Sequence, residues 1–174
     1  MKFHETGLEG VLVVEPELLE DERGFFARSW AADEFTARGL STRLAQCYIS
    51  FNTRKGTLRG MHYQAEPHAE AKLVRCTRGA MLDVAVDVRP GSPTLHRWAA
   101  VELTAENRRG LYIPEGFAHG FQTLEDATEV FYQVSEDYHP ESARGLRWDD
   151  PRLGIEWPLA VSVISARDAQ FALL

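Results

Sequence analysis

At 174 residues, 44% of them hydrophobic, with a formal charge of −7, the chain can enclose one sizeable core but hardly two, so we expect a single domain spanning 1–174. The negative balance excludes the broad basic footprint that nucleic acids demand, and any anionic ligand must be gripped by a local cluster of cations. No apolar run approaches a membrane span, the opening MKFHETGLEG is acidic where a secretory leader is apolar, and Cys47 and Cys76 form no C-x-x-C pair, so we expect a soluble, cytoplasmic protein with reduced thiols.

In chain order, GVLVVEP (10–16), GFFARSW (24–30), QCYISFN (46–52), AKLVRC (71–76), AMLDVAVDV (80–88), RWAAVEL (97–103), GLYIP (110–114), HGFQTL (119–124) and EVFYQVS (129–135) read as short strands. They alternate or carry β-branched runs, and Gly, Pro, Asn and Asp punctuate the gaps. Many short strands at this spacing predict an all-β barrel or sandwich. In AMLDVAVDV the two-residue period sends Leu82, Val84, Val86 and Val88 one way, predicted as core, and Asp83, Ala85 and Asp87 the other. Two short peripheral helices are predicted. AADEFTARGL (31–40) carries Phe35 and Leu40 with Gly39 near its end, and SARDAQFALL (165–174) opens on Ser165 as its N-cap. The tail after Trp157-Pro158 reads as an appendage.

The chemistry-bearing stretch is 54–78, where Arg54, Lys55, Arg59, Lys72, Arg75 and Arg78 face only Glu66 and Glu70. Basic residues on strand edges also discourage aggregation, so the cluster by itself leaves both readings open. Within it, TLRGMHYQ presents His62 as a metal ligand, a proton-transfer base or a structural histidine. Pro114, Gly116 and His119 follow the P-x-G-x-x-H spacing with which small β-barrels called cupins deliver a histidine into the barrel. A metal-binding cupin also needs an H-x-H and a nearby carboxylate, and here the corresponding place reads His62-Tyr63-Gln64, one imidazole short. No metal is therefore expected in the reaction. Proton transfer suits histidine, whose ordinary pKa lies nearest neutrality. Tyr132 is a candidate acid, although it alternates in phase with Val130 and Val134 as a core tyrosine would, and Lys72 alone reads as a strand lysine. Arg59 and His62 are an odd number of residues apart and belong on opposite faces of a straight strand; a bulge at Gly60 would reconcile them.

Longer motifs extend this. DERGFFARSW, KGTLRGMHYQ, AKLVRCTRG, DVAVDVRPGSPT, ENRRGLYIPEGFAHGFQTLED, YHPESARGLRWDDPRLGIEWP and the terminal SARD follow one another in the order seen in the dTDP-4-dehydrorhamnose 3,5-epimerases, which the sequence resembles over nearly its whole length. The resemblance implies a cupin-type jelly-roll homodimer acting, without a metal or other cofactor, on a nucleotide-diphosphate-linked 4-keto-6-deoxyhexose. It further implies His62 as base, Asp168 as its partner, Tyr132 as acid, and Lys72 and Arg59 near the sugar and phosphates. His119 would be a further pocket histidine, and Tyr138 would lie near the base. Arg23 and Phe26 match the nucleotide pocket that an N-terminal segment completes across the dimer, and Gln46 and Ser50 are the outer residues of the family's Q-x-N-x-S pattern. Two positions depart from the family: Arg28 stands where a glutamate is common, and Tyr48 takes the Asn position of that pattern. Both lie in segments tied to nucleotide recognition, so a CDP-linked sugar is the alternative to a dTDP-linked one. The alternative activities are inversion at C3 or C5 alone, movement of the carbonyl, metal-dependent oxygenation, and sugar-nucleotide binding without turnover.

Overall fold

Strand alternation builds a two-walled barrel, seen in a computed structural model that describes residues 1–174. Its elements are β1 (Lys2–Glu5), β2 (Leu12–Glu15), β3 (Leu18–Asp21), β4 (Gly24–Ala27), α1 (Ala32–Thr36), β5 (Gln46–Asn52), β6 (Leu58–Gln64), β7 (Lys72–Arg78), β8 (Ala80–Asp87), β9 (Trp98–Thr104), β10 (Gly110–Ile113), β11 (Phe117–Thr123), β12 (Thr128–Val134), β13 (Ala143–Gly145) and α2 (Ala166–Ala169). One wall has the order β1-β2-β10-β7-β12-β5 and the other β13-β6-β11-β8-β9, while β3 and β4 pair only with each other. Neighbouring strands run antiparallel throughout. This is the all-β, cupin-type jelly roll that the strand pattern and the resemblance anticipate. No helix is long and apolar enough to cross a membrane.

Between the walls lies the main core, where Val74, Met81, Ala85, Leu103, Leu111, Phe117, Phe121 and Val130 interdigitate. The prediction for AMLDVAVDV needs correcting. Met81 and Ala85, in phase with Asp83 and Asp87, are the side chains of β8 that enter the main core. Val84 and Val86 instead pack with Met61, Ala118, Leu146 and Leu153 in a second cluster, against which Leu82 and Val88 are partly buried. The segment around 146–157 covers this outer face, so both faces of β8 are buried and the two-residue period no longer says which one points inward.

One further expectation changes. GFFARSW contributes only β4, half of an exposed hairpin in which Phe26 is 75% accessible. The hairpin stays outside the barrel because neither of its strands is hydrogen-bonded to a wall. Helix α1 is short, but its Phe35 is fully buried with Val14, Ala71, Leu73 and Tyr112. Edge contacts to the rings of Phe3 and Tyr112, at 5.5 and 5.8 Å, make that side chain a plug for the outer face of the larger wall, from a helix that is peripheral as expected.

The bulge that parity requires in β6 is present. Register runs His119 against His62 and then Phe121 against Arg59, so Gly60 and Met61 together face Gly120. One extra residue returns Arg59 and His62 to the same side while Met61 goes to the outer cluster. Gly60 has φ +121°, and a Cβ there would sit 2.5 Å from the Gly120 Cα and 2.8 Å from the His119 carbonyl oxygen. Both clashes are with backbone. Gly60→Ala should therefore lower stability by roughly 2–5 kcal/mol, from strain plus overpacking. Chemical denaturation checks this, and a change under about 0.5 kcal/mol would contradict the tight approach.

Candidate active site

The bulge and the returning C-terminal tail together make the site. The tail runs beside the start of β6: the Leu58 N–H donates to the Val163 carbonyl at 2.9 Å and the Ser162 N–H to the Gly56 carbonyl at 2.9 Å. Ser165 then caps α2, its hydroxyl accepting from the Asp168 N–H at 3.0 Å. That single turn brings Asp168 inward, where it is 4% exposed. One carboxylate oxygen lies 2.7 Å from His62 Nε2, and the other accepts from the Gly60 N–H at 3.2 Å. The carboxylate therefore grips both the imidazole and the bulge that aims it. With Nε2–H donating to Asp168, the Nδ1 lone pair is the proton acceptor of the ring.

Burial pushes the Asp168 carboxyl upward, but the hydrogen bond and charge of His62, the Gly60 amide and the Ser165 hydroxyl outweigh it and hold the pKa below its ordinary value. A carboxyl whose folded pKa is depressed contributes stability that is complete above the unfolded value of about 3.9 and is lost as pH falls through the folded one. Thermal melts of the wild type should thus fall toward those of Asp168→Asn as pH drops below about 4, with the widest gap near neutrality. A gap that does not change with pH would show that the carboxylate is not held by these partners.

His62 and Asp168 line a cavity of about 760 Å³ between the two walls, as do Arg59, Lys72, His119, Tyr132, Ser50 and Tyr138. The larger wall supplies Ser50 from β5, Lys72 from β7 and Tyr132 from β12; the smaller supplies Arg59 and His62 from β6 and His119 from β11. The imidazole of His62 and the phenol of Tyr132 thus enter one cavity from opposite walls. Lys72 Nζ is ion-paired with Glu70 at 2.9 Å and approaches the His62 carbonyl at 3.4 Å. Arg59 is braced by its Nε, which donates to the Asn52 side chain at 2.8 Å. His119 Nε2 lies 2.6 Å from Asp83, and its ring meets that of Tyr132 edge-on at 6.1 Å.

Burial raises the Tyr132 phenol far above its ordinary value; the Asp83 charge adds to this, while the Ser50 hydroxyl and Arg59 oppose it. The phenol consequently stays protonated at any physiological pH. A protonated phenol can give a proton but cannot serve as a base. The site therefore holds a carboxylate-oriented imidazole, a protonated phenol across from it, and cations in the same lining.

Three residues expected at the site lie elsewhere in the single chain. Arg23 sits in the turn of the β3–β4 hairpin and is tied to Asp21, with Nε 3.1 Å from one carboxylate oxygen. Phe26 is exposed on the same hairpin. Gln46, at the start of β5, is outside the cavity lining and accepts a hydrogen bond from the Tyr48 hydroxyl. Tyr48 itself lines the cavity, whereas Arg28 is paired with Glu34 at 3.1 Å outside it. Sequence reasoning missed Asp83, Glu70, Asn52, Arg144 and Arg167. The signal for Asp83 was a carboxylate amid the apolar residues of β8, which only knowledge of the inward face could interpret. Arg144 and Arg167 line the cavity, Arg167 from within the SARD motif itself.

The family model described as dTDP-4-dehydrorhamnose 3,5-epimerase matches residues 5–174. A Shigella flexneri protein named dTDP-4-dehydrorhamnose 3,5-epimerase is 46% identical over 169 residues, covering 97% of this chain and 93% of its own. The crystal structure of the Bacillus anthracis enzyme of that name, with TDP and PPi bound, superposes with a TM-score of 0.95 at 39% identity and 99% coverage of both chains. That of the dTDP-6-deoxy-D-glucose-3,5-epimerase from Legionella pneumophila, in complex with dTDP-4-keto-L-rhamnose, superposes with a TM-score of 0.93 at 40% identity, over 99% of this chain and 92% of its own.

Proposed function

The chain belongs to the dTDP-4-dehydrorhamnose 3,5-epimerase family, and from that premise we propose that it inverts C3 and C5 of dTDP-4-dehydro-6-deoxy-D-glucose to give dTDP-4-dehydro-L-rhamnose, with His62 as base and Tyr132 as acid. One observation carries the assignment of roles: the Asp168-held imidazole and the protonated phenol enter the same cavity from opposite walls. A hydrogen on a carbon beside the C4 ketone is weakly acidic. His62 removes it from one face of the ring, and the charge flows to the ketone oxygen. Lys72 and Arg59 are cations suited to the resulting enolate, which must be stabilised where it forms. Asp168 fixes the tautomer before the step and balances the imidazolium after it. Tyr132 returns a proton to the same carbon from the other face, which inverts the centre. C3 and C5 flank one ketone, so the same pair serves both when the ring is presented twice.

Charge supports a diphosphate substrate. Although the whole chain is at −7, the cavity lining includes Arg59, Lys72, Arg144 and Arg167, local cations of the kind an acidic protein needs to hold an anion. The Legionella enzyme's complex with dTDP-4-keto-L-rhamnose supports the same ligand class here. Acid–base groups account for every step without a metal or organic cofactor.

A homodimer fits the surface. Leu19, Phe25 and Phe26 on the hairpin and Ile49 and Phe51 on edge strand β5 are exposed apolar side chains, a surface that a second copy of the chain would cover. In that assembly the hairpin would carry Arg23 and Phe26 to the partner's nucleotide pocket. Free Cys47 and Cys76 support a reducing, cytoplasmic setting.

Solvent isotope exchange tests the reaction. Purified protein given dTDP-4-dehydro-6-deoxy-D-glucose in heavy water should place deuterium at both C3 and C5. Label at one carbon alone would reduce the assignment to single-centre epimerisation, and tight binding with no label would make the protein a binding module.

A further inference from the structure

Just outside the cavity, three side chains that the reaction does not use come together. His68, in the loop after β6, stacks on His139, in the segment after β12, with ring centroids 3.4 Å apart and planes inclined by 8°. Glu136 completes the group: one ligand-type atom from each of His68, Glu136 and His139 lies within 4.8 Å of the others, and all three residues are half-buried. The backbone of the two histidines and of Asp137 is held by a single buried amide. Gln64 Nε2 donates to the His68 carbonyl and to the Asp137 carbonyl, each at 3.0 Å, while Gln64 Oε1 accepts from the His139 N–H at 2.6 Å. The two loops are thus tied together beneath the imidazoles before any ligand arrives. Aromatic rings left to themselves prefer an offset or edge-on arrangement to a face-to-face stack.

We propose that His68, His139 and Glu136 form a binding site for a divalent transition metal of the zinc type, which clips the loop after β6 to the segment carrying Tyr138. Two imidazole nitrogens with one carboxylate oxygen suit zinc, cobalt or nickel and are poorly matched to magnesium or calcium. Two nitrogens bound to one tetrahedral zinc lie roughly 3.3 Å apart; the ligand atoms here already lie within 4.8 Å of one another, and each ring turns out of the stack to bring its in-plane lone pair onto a common ion. The next shell is also built. His139 Nδ1 lies 3.1 Å from a Glu141 carboxylate oxygen, and a proton on that nitrogen leaves the Nε2 lone pair for the metal, as a carboxylate–histidine–metal arrangement requires. Glu136 accepts from both terminal nitrogens of Arg43 and from the Asp137 N–H. These occupy three of its roughly four lone-pair positions and leave one for an ion. Glu136, Asp137 and Glu141 together outweigh Arg43, so the surroundings favour a cation.

The position gives the clip a consequence. Tyr138, between Asp137 and His139, lines the substrate cavity, as does Glu70, two residues after His68. An ion joining the two loops would hold this part of the rim in place.

The full chain, freed of metal with EDTA, provides the test. Calorimetric titration with zinc chloride should reveal one saturable site per chain and a raised melting temperature. His68→Ala and His139→Ala should each weaken binding at least about tenfold, and Glu141→Gln about tenfold, with the metal-free melting temperature unchanged. Should an alanine variant melt early, His139→Asn repeats the measurement with a side chain that keeps the polar contacts. Cobalt(II) should show d–d bands in the wild type that are lost in His139→Ala, with no thiolate charge-transfer band, and His62→Asn should bind zinc as the wild type does. The proposal fails if the wild type has no saturable site, if both histidine variants bind zinc normally, if His62→Asn abolishes binding, or if cobalt shows a thiolate band from Cys47.

Discussion

Replacing His62 by asparagine should reduce epimerisation by about 10²–10⁴-fold or more, the span that general acid–base catalysis typically contributes, and should reduce solvent exchange at C3 and C5 by the same factor. The two losses are coupled because one proton abstraction begins both. Folding should survive. The His62 side chain is 41% exposed, and Asp168 keeps the Gly60 N–H as a donor at 3.2 Å, so the carboxylate is not abandoned in a buried place. Circular dichroism and melting temperature should therefore stay near the wild type while exchange collapses. An asparagine variant that exchanges deuterium at the wild-type rate would remove His62 from the chemistry.

Tyr132→Phe should separate the two halves of the reaction. The variant keeps the base, so protons should still leave the sugar. It lacks the proton donor on the opposite face, so inversion should fall by about 10²–10⁴-fold while exchange with retention falls much less. The measurement is the ratio of deuterium incorporation to epimer formed, followed by NMR, and it should rise well above the wild-type ratio. Removing one hydroxyl and keeping the ring preserves the packing of Tyr132 against the main core and its edge contact with His119, so a stability loss cannot imitate this ratio. Exchange and inversion falling in parallel would place Tyr132 in substrate binding and leave the acid to be sought elsewhere.

Much of the site was legible because its chemistry is local to short motifs. TLRGMHYQ contained the imidazole, the cation and the glycine of the bulge, and the parity conflict between Arg59 and His62 pointed to the irregularity that Gly60 and Met61 form opposite Gly120. SARD contained both the cap and the carboxylate, with Ser165 accepting from the Asp168 N–H. The resemblance, rather than periodicity, linked these to each other and to Tyr132, whose alternation with Val130 and Val134 would serve a core tyrosine equally well. Less visible was anything that depends on which face of a strand is inside. Asp83 follows the same two-residue period as its neighbours, and the valines beside it are buried too, under the segment around 146–157. Hydrophobic patterning cannot rank two buried faces, so the carboxylate that meets His119 was passed over.

By itself, then, the amino-acid sequence determined the class of fold, the family and the bulge, and supplied the candidates for proton transfer, because strand alternation, glycine conformation and side-chain chemistry are properties of a few adjacent residues. Tertiary structure alone decided that β8 turns Asp83 inward, that Gln64 ties His68 to His139, and that Arg23 and Phe26 stand apart from the cavity of their own chain. Those outcomes depend on which surfaces meet when distant segments pack, and the free energy that selects them is shared among contacts that no local window of sequence contains.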